Sequence, residues 1–470
     1  MSQSSAGEGG LTARLASLAV SIDVATVARV LDRAKLLVAD HIGVSLRGYD
    51  EAWTGIVRDA AIAEGAAPAA TLYSGDATSV RNAALVNGTA GHALELDDTH
   101  DRSLTHPGTV VIPAAIAMAQ HTRASGPGLL AAIVAGYEVQ GRIGMHIGQA
   151  LIERGVHPTA SLGVFGAAAA AGRLLGLDHA AMTSALGIAA SMSAGLMQFS
   201  QDASGTMVKR LYGGLPAERG VLAAQLAGSG YTGPREAVEG RFGVARVLAD
   251  HAIGEVSGEL PDGFVIDEVS IKLYACCRNF HALIDAARWC AAQAPVRLET
   301  IERVEVRGPR AMIDHHLEAR PRSTMAAQYS LPFTTAVALL GDASDPAWFG
   351  DAARDDAALL ALADKVVPIH DDEFQRAFPA HFGGAISIVS RDGLRLERRV
   401  LDSRGTPAQP ADRDTLHRKF AALTSARLAA DERARLLGAI EHLDDATTLD
   451  ALIGALPRAA LRAANRRAAD

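Results

Sequence analysis

The sequence predicts a mainly α-helical fold: a large all-helical domain built from both chain ends, carrying a smaller inserted α+β lid domain. Three observations predict it. Hydrophobic residues make up 49% of the 470 positions but aromatics only 4%, a balance that suits close-packed helices of small side chains. Long Ala/Leu/Val segments broken by Gly, Pro and polar clusters run from about residue 11 to 254. Strand-like alternation then sets in near residue 268 and stops near 405.

In chain order, residues 1–10 ("MSQSSAGEGG") read as a disordered tail without the basic start or apolar stretch of a secretory signal. Residues 11–267 form the first part of the helical domain, with helices expected at Val24–Leu46, Val80–Asp98, Pro107–Thr122, Leu129–Gly144, Pro158–Leu175, Ala180–Met197 and Pro216–Leu226. Residues 268–405 form the lid. There "VSIKLYA" (269–275) and "IERVEVRG" (301–308) alternate as strands, and "AISIVSRDGLRLERRV" (385–400) reads as two strands joined at Asp392-Gly393. Helices are expected between them at His281–Ala292 and Ala326–Leu340. Residues 406–470 return to the helical domain and end in the basic "RAALRAANRRAAD".

Several function classes are excluded by composition. Lys and Arg number 45 against 53 Asp and Glu, with no basic block of the size that nucleic acid requires. The uncharged stretch 179–201 has the length of a membrane span, but its Ser, Gly, Met and His make a buried helix the better reading, so no membrane partner is expected. Three cysteines without a CxxC pair fit a reducing, cytoplasmic setting.

Chemistry concentrates in "HALELDDTHDRSLTHPG" (92–108). If the helix runs to Asp98, Gly88, His92, Glu95 and Thr99 share one face. That face is an acid–base wall, a metal half-site at HxxE spacing, or a solvated helix end. The third metal ligand would have to come from a loop, so no metal is expected. Asp97 and Asp98 read as structural, bonding backbone N–H groups in the following turn.

His106-Pro107 and His157-Pro158 each open a helix, and helix starts favour anions. Lys209 stands in a Gly-bounded loop, and Lys272 on the polar side of the first lid strand, beside the inferred domain boundary. "GSGYTG" (228–233) matches a dinucleotide motif literally but follows a helix and meets Pro234, so it is a helix stop. Cys276–Cys277 lacks metal-ligand spacing and reads as core packing at the edge of a cleft, which places Cys277 among the substrate-binding candidates.

On these residues the chain resembles the MmgE/PrpD family, whose members include 2-methylcitrate dehydratase, cis-aconitate decarboxylase and iminodisuccinate epimerase. The matching stretches are "NGTAGHALELDDTH", "HPGTVVIPAAIA", "GYEVQGRIG", "HPTASLGVFGAAAAAGRLLG", "VKRLYGGLPAERGVLAAQLA", "IKLYACCRNFHALIDA" and "AAQYSLPFTTAVALL". The resemblance implies a helical domain with an α+β lid, a homodimer, and a cofactor-free site in the cleft between the domains. It implies Thr99, His106, His157, Lys209 and Lys272 as active-site residues, with His281 following at the family spacing. Two positions depart from the decarboxylase pattern: Glu95 stands for an Asp, and Phe333 for a Tyr, with Tyr329 one turn earlier as the substitute.

The expected chemistry is a proton change at carbon next to a carboxylate. Lysines and helix starts would bind the substrate's acid groups, and His106 or His157 would act as base or acid. Lys272 would be an alternative base if burial lowers its pKa. Glu95 and Thr99 would orient His106 or contact a substrate hydroxyl. Dehydration of a citrate-like hydroxy-polycarboxylate is the first reading. Epimerisation of a dicarboxylate, or decarboxylation as in cis-aconitate decarboxylase, is the alternative, and a non-catalytic scaffold comes last.

Overall fold

The computed structural model describes residues 9–202, 206–253, 263–293, 297–314 and 317–457. Most of the expected N-terminal tail and the basic C-terminal run lie outside these residues. The architecture is mainly helical, as expected. Helices at Leu31–Gly48, Val80–Gly91, Gly108–Thr122, Gly126–Glu153, Pro158–Leu174 and Leu211–Gly228 bury a core of Ala, Val, Leu and Ile with few aromatics. The Arg413–Thr424 and Ala430–Glu441 helices return from the C-terminal side, placing Phe420, Leu436 and Ile440 in the same core.

Small residues set how closely these helices approach. A methyl group on Gly213 would stand 2.4 Å from the Gly88 carbonyl oxygen, and one on Gly214 would stand 2.1 Å from that of Leu85. Only glycine allows the Val80–Gly91 and Leu211–Gly228 helices to touch backbone to backbone. That contact brings the start of the second helix, and the cations just before it, up to the end of the first.

A second core gathers Leu273–Ile388 side chains around a four-stranded sheet. Its strand order is Val366–His370, Ile301–Gly308, Gly384–Ser390, Arg395–Val400; the first pair is parallel and the others antiparallel. Val304 lies opposite Ile388 on one side and Val366 on the other, and Val304, Val306 and Ile386 are buried. The Asp392-Gly393 hairpin forms as expected, with Gly393 at φ 88°. The helix at His281–Gln293 packs against this sheet.

Four expectations are corrected. The 269–275 strand shrinks to Val269–Ser270 and pairs with Thr99–His100, outside the four-stranded sheet. The helix ending at Asp98 stops at Gly91. The 326–340 helix breaks where Ser330 accepts a hydrogen bond from the Phe333 N–H and starts a new helix at Leu331. The 179–201 helix ends at Ser191, and among the described residues no helix is long and apolar enough to cross a membrane.

Candidate active site

Residues 92–98 form the junction between the two cores, and their alternation explains how. Ala93, Leu94 and Leu96 enter the sheet-bearing core, while His92, Glu95 and Asp97 are buried on the other side. Glu95 adopts the left-handed conformation at φ 56°. A non-glycine residue held there costs on the order of 1–3 kcal/mol, a strain found most often at functional positions. Lys272 sits at the same seam: its neighbour Ile271 belongs to the helical core and Leu273 to the other.

The Glu95 carboxylate is the centre of a buried cation cluster. Lys209 Nζ donates to Oε1, Arg210 Nη1 donates to the same oxygen at 2.8 Å, and Lys272 Nζ donates to Oε2 at 3.2 Å. Tyr329 OH lies 3.5 Å from Oε2. All three cations and the carboxylate are at most 2% exposed at their side chains. Arg210 is itself fixed, with Nη2 donating to Gln328 Oε1 at 2.7 Å, while Gln328 Nε2 donates to the Leu94 carbonyl at 2.9 Å.

Beside this cluster stand three imidazoles. The His92 and His106 ring centroids are 5.0 Å apart, and those of His92 and His157 are 6.4 Å apart. Asp97 Oδ2 lies 2.7 Å from His92 Nδ1 in a good hydrogen bond. The same oxygen is 3.1 Å from His106 Nδ1, but off the line a hydrogen bond needs. His157 caps the Pro158–Leu174 helix, its Nδ1 accepting from the Ala160 N–H at 3.4 Å. These contacts assign two of the three ring protons. His92 carries its proton on Nδ1 toward Asp97, leaving Nε2 as a base, while His106 Nδ1 faces the same carboxylate without a hydrogen bond that fixes its tautomer. His157 carries its proton on Nε2 and presents a donor.

Electrostatics follow from burial and neighbours. Burial pushes the Glu95 pKa up, yet Lys209, Lys272 and Arg210 hold it well below the usual carboxylate range. Asp97 is likewise held low against burial, by the two imidazoles on it. Burial, with Lys209 nearby, lowers His92 to about 4. Burial also lowers His106, and takes His157 well below the ordinary imidazole value. Lys209 is lowered by burial and its neighbouring cations Arg210 and Lys272, against the pull of Glu95. Lys272 moves the other way: Glu95 and Asp97 overcome its burial and raise it, which corrects the expectation that Lys272 would be softened into a base. Burial and the Glu95 charge keep the Tyr329 hydroxyl protonated.

The structure therefore brings together Glu95, His106, His157, Lys209, Lys272 and Tyr329. Cys277 stands alongside; burial raises its thiol, and its charge interactions are with Lys272, Glu95 and Lys209. Three expected site residues lie elsewhere. Thr99 is taken up by the short ladder with Ser270, and its hydroxyl donates to Asp101 at 2.9 Å. Phe333 is fully buried in the second core, 6.5 Å from the Phe349 ring, so its lack of a hydroxyl says nothing about the site. His281 is buried, packs 5.2 Å from the Tyr274 ring and, among the described residues, makes no hydrogen bond or ion pair with Glu95 or the three cations on it.

Asp97, expected to bond backbone N–H groups in the turn, instead bonds His92 and faces His106. Asp98 alone does what was expected of both, accepting from the Gly108 N–H at 2.8 Å while Tyr137 OH donates to it at 2.6 Å. Burial raises Asp98 to about 7. Arg210 and Gln328 were missed. Arg210 had a signal, as the second of two adjacent cations in a Gly-bounded loop; Gln328 had none.

His92, Asp97 and His106 place one ligand atom each within 4.8 Å of one another, close enough to hold a metal ion. This differs from the HxxE pair weighed in the sequence, because Glu95 turns toward the cations. Two cavities adjoin the site. One of about 730 Å³ is lined in part by Phe199 and Tyr212, the rings packed on His157 at 5.8 and 5.2 Å. The other, about 270 Å³, runs between Phe199 and Tyr329. Neither is lined by Lys209 or Lys272, which the Glu95 contacts enclose.

Comparison with known proteins is consistent along most of the chain. A cis-aconitate decarboxylase-like protein of Aspergillus oryzae is 28% identical, covering 95% of this chain and 97% of its own length. A cis-aconitate decarboxylase of Aspergillus terreus is 29% identical over 95% and 96%, and that of Homo sapiens 26% over 89% and 88%. The MmgE/PrpD N-terminal domain matches residues 13–255 and the MmgE/PrpD C-terminal domain residues 274–445, so the chain belongs to the MmgE/PrpD family.

Proposed function

We propose that this MmgE/PrpD lyase moves a proton at a carbon next to a carboxylate and expels water from a hydroxy-carboxylate, without a cofactor. One observation carries the reading: a carboxylate already sits on Lys209, Arg210 and Lys272, beside three imidazoles, two of them held in defined tautomers. Each lysine ammonium has three donors and spends one on Glu95, so donors remain for a substrate carboxylate.

In the proposed step His106 Nε2 takes the α-proton, with Asp97 stabilising the resulting imidazolium. The remaining lysine donors and the His157 Nε2–H hold the carboxylate as it takes on enolate character. The electron pair forms the double bond and expels the β-hydroxyl, which takes the Tyr329 proton and leaves as water. Neutral imidazoles paired with a protonated phenol suit this elimination: the base is ready and the acid is loaded.

A second reading, loss of CO2, is favoured by the decarboxylase names of the relatives. It would require the carbon to be protonated, and the neutral resting imidazoles supply that less readily. Proton NMR in D2O with EDTA present, on 2-methylcitrate, citrate and cis-aconitate, separates the two. New vinyl signals from a hydroxy-acid support dehydration; deuterium incorporation with loss of CO2 from cis-aconitate supports decarboxylation. Activity lost with EDTA and restored by a divalent ion would move His92, Asp97 and His106 from proton transfer to metal binding.

A further inference from the structure

The turn that carries Glu95 and Asp97 is held from behind by side chains. Among the described residues, its backbone–backbone hydrogen bonds end at Ala93 and resume in the Thr99–His100 ladder. Side chains cover the gap. Gln328 Nε2 donates to the Leu94 carbonyl at 2.9 Å, and Asp98 accepts from the Gly108 N–H and the Tyr137 hydroxyl. Lys419 Nζ donates to the Leu96 carbonyl at 2.9 Å, on the peptide that joins Leu96 to Asp97. The same ammonium donates to Asp40 Oδ1 at 2.6 Å, and the two side chains are only 9% and 3% exposed. The Arg413–Thr424 helix is seated for this contact. A methyl on Gly43 would stand 2.8 Å from the Phe420 ring, so the helix lies close on Leu31–Gly48, which carries Asp40. Its Leu416 and Phe420 belong to the helical core and its Leu423 to the second, so it crosses the same seam as residues 92–98.

We propose that Lys419 is a positioning residue: its ammonium, aimed by Asp40, fixes the Leu96 carbonyl and so holds the Asp97 carboxylate on His92 and beside His106. A buried ammonium needs a counter-ion, and Asp40 supplies it, which leaves a donor of Lys419 for the turn. Glu95 depends on this strut less, because three cations hold its carboxylate from the front. Asp97 bonds His92 through one oxygen, and its other oxygen has no hydrogen-bond partner among the described residues. Freedom at the 96–97 peptide therefore falls on the proton-transfer side of the site and not on carboxylate binding. The kinetic consequence rests on the lyase reading above; the geometric one does not.

The test compares two variants of the full-length chain with the wild type. Asp40→Asn breaks the ion pair but leaves the Lys419 donor on the Leu96 carbonyl. Asp40→Leu combined with Lys419→Met removes the donor and replaces the pair by apolar side chains, which an interior tolerates better than one unpaired charge. The first readout is the low-field proton NMR signal of the His92 Nδ1–H on Asp97, assigned by its upfield shift in Asp97→Asn, where the acceptor is neutral. The second is kcat and KM on the hydroxy-carboxylate that the enzyme converts. D40N should lose stability in urea yet keep the signal and the kcat of the folded enzyme. D40L/K419M should lose or broaden the signal, with kcat lower by about tenfold or more and KM little changed. Should D40L/K419M not fold, D40N/K419M makes the same comparison against D40N. A signal and a kcat that survive removal of the donor reduce Lys419 to a structural ion pair and overturn the proposal. So does an equal fall in D40N and the double variant, or a wild type without the signal. A wild type that converts none of the acids ends the lyase reading, and the signal alone then decides whether Lys419 positions Asp97.

Discussion

The Asp97 carboxylate meets His92 Nδ1 at 2.7 Å, and both side chains are buried to within 2% of full enclosure. The same oxygen lies 3.1 Å from His106 Nδ1, so one carboxylate orients the His92 ring and places its charge beside the His106 ring. Asp97→Asn keeps the shape but offers an amide that can donate as well as accept, and it removes the charge that stabilises an imidazolium. The expected result is a kcat lower by about a hundredfold or more, with KM little changed. Loss of the charge-assisted bond should also cost about 1.5–3 kcal/mol in urea unfolding. An unchanged kcat would remove His92 and His106 from the proton-transfer step.

Buried neutral histidines leave a signature in the pH dependence of stability. His92 falls from 6.5 to about 4 in the folded protein. In the unfolded chain it returns to about 6.5, so between these values the unfolded state binds a proton that the folded state refuses. Its contribution is therefore full above the unfolded value and is lost as pH falls toward the folded one. Asp98, raised to about 7, has the opposite sign in the same range, so whole-protein curves mix the two. Comparison with His92→Gln isolates the ring. The wild-type urea midpoint, relative to H92Q, should drop between about pH 7.5 and pH 4.5. A constant difference would mean that His92 is not held neutral by burial.

Which residues gather at the candidate site was largely legible in the sequence, but their three-dimensional relations were less so. His106, His157, Lys209 and Lys272 stand out by scarcity and by their places beside prolines, glycines and the change of texture near residue 268. Helical periodicity through residue 98 failed because the chain leaves the helix at Gly91, where a side chain would strike the His41 ring at 2.6 Å. The turn that follows is dictated by burial of Ala93, Leu94 and Leu96 in a core formed by residues some 180 positions and more away. No local pattern reports that demand. For the same reason Asp97 looked like a turn residue, and Lys272 looked like part of a longer strand.

Glycine packing offers a test of how the site is positioned. A methyl on Gly213 would lie 2.4 Å from the Gly88 carbonyl oxygen and 2.6 Å from Thr109 Oγ1, both in well-packed surroundings. Gly213→Ala should therefore push apart the two helices whose contact delivers Lys209 and Arg210. The expected stability loss is about 1–3 kcal/mol. Activity should fall further than folding alone requires, because a shift of about 1 Å at the lysine costs on the order of a hundredfold. Measuring kcat per folded molecule at a temperature well below the transition separates the two effects. Full activity of the folded fraction would show that the helix contact does not position the cations.

Phe333 provides the converse case. Its ring is fully buried beside Phe349 in the second core, and the Ser330 hydroxyl caps the helix that carries it. Restoring a tyrosine there, Phe333→Tyr, adds a hydroxyl to an apolar interior and should cost about 1–3 kcal/mol of stability, read by thermal denaturation. It should leave kcat, KM and substrate preference of the folded enzyme unchanged. Tyr329→Phe should do the reverse. It removes the hydroxyl beside Glu95, 3.5 Å from Oε2, and should lower kcat of the folded enzyme. If F333Y instead altered catalysis, the Leu331–Leu340 helix would have to turn its Phe333 face toward the cations, and Tyr329 would lose its place as the acid.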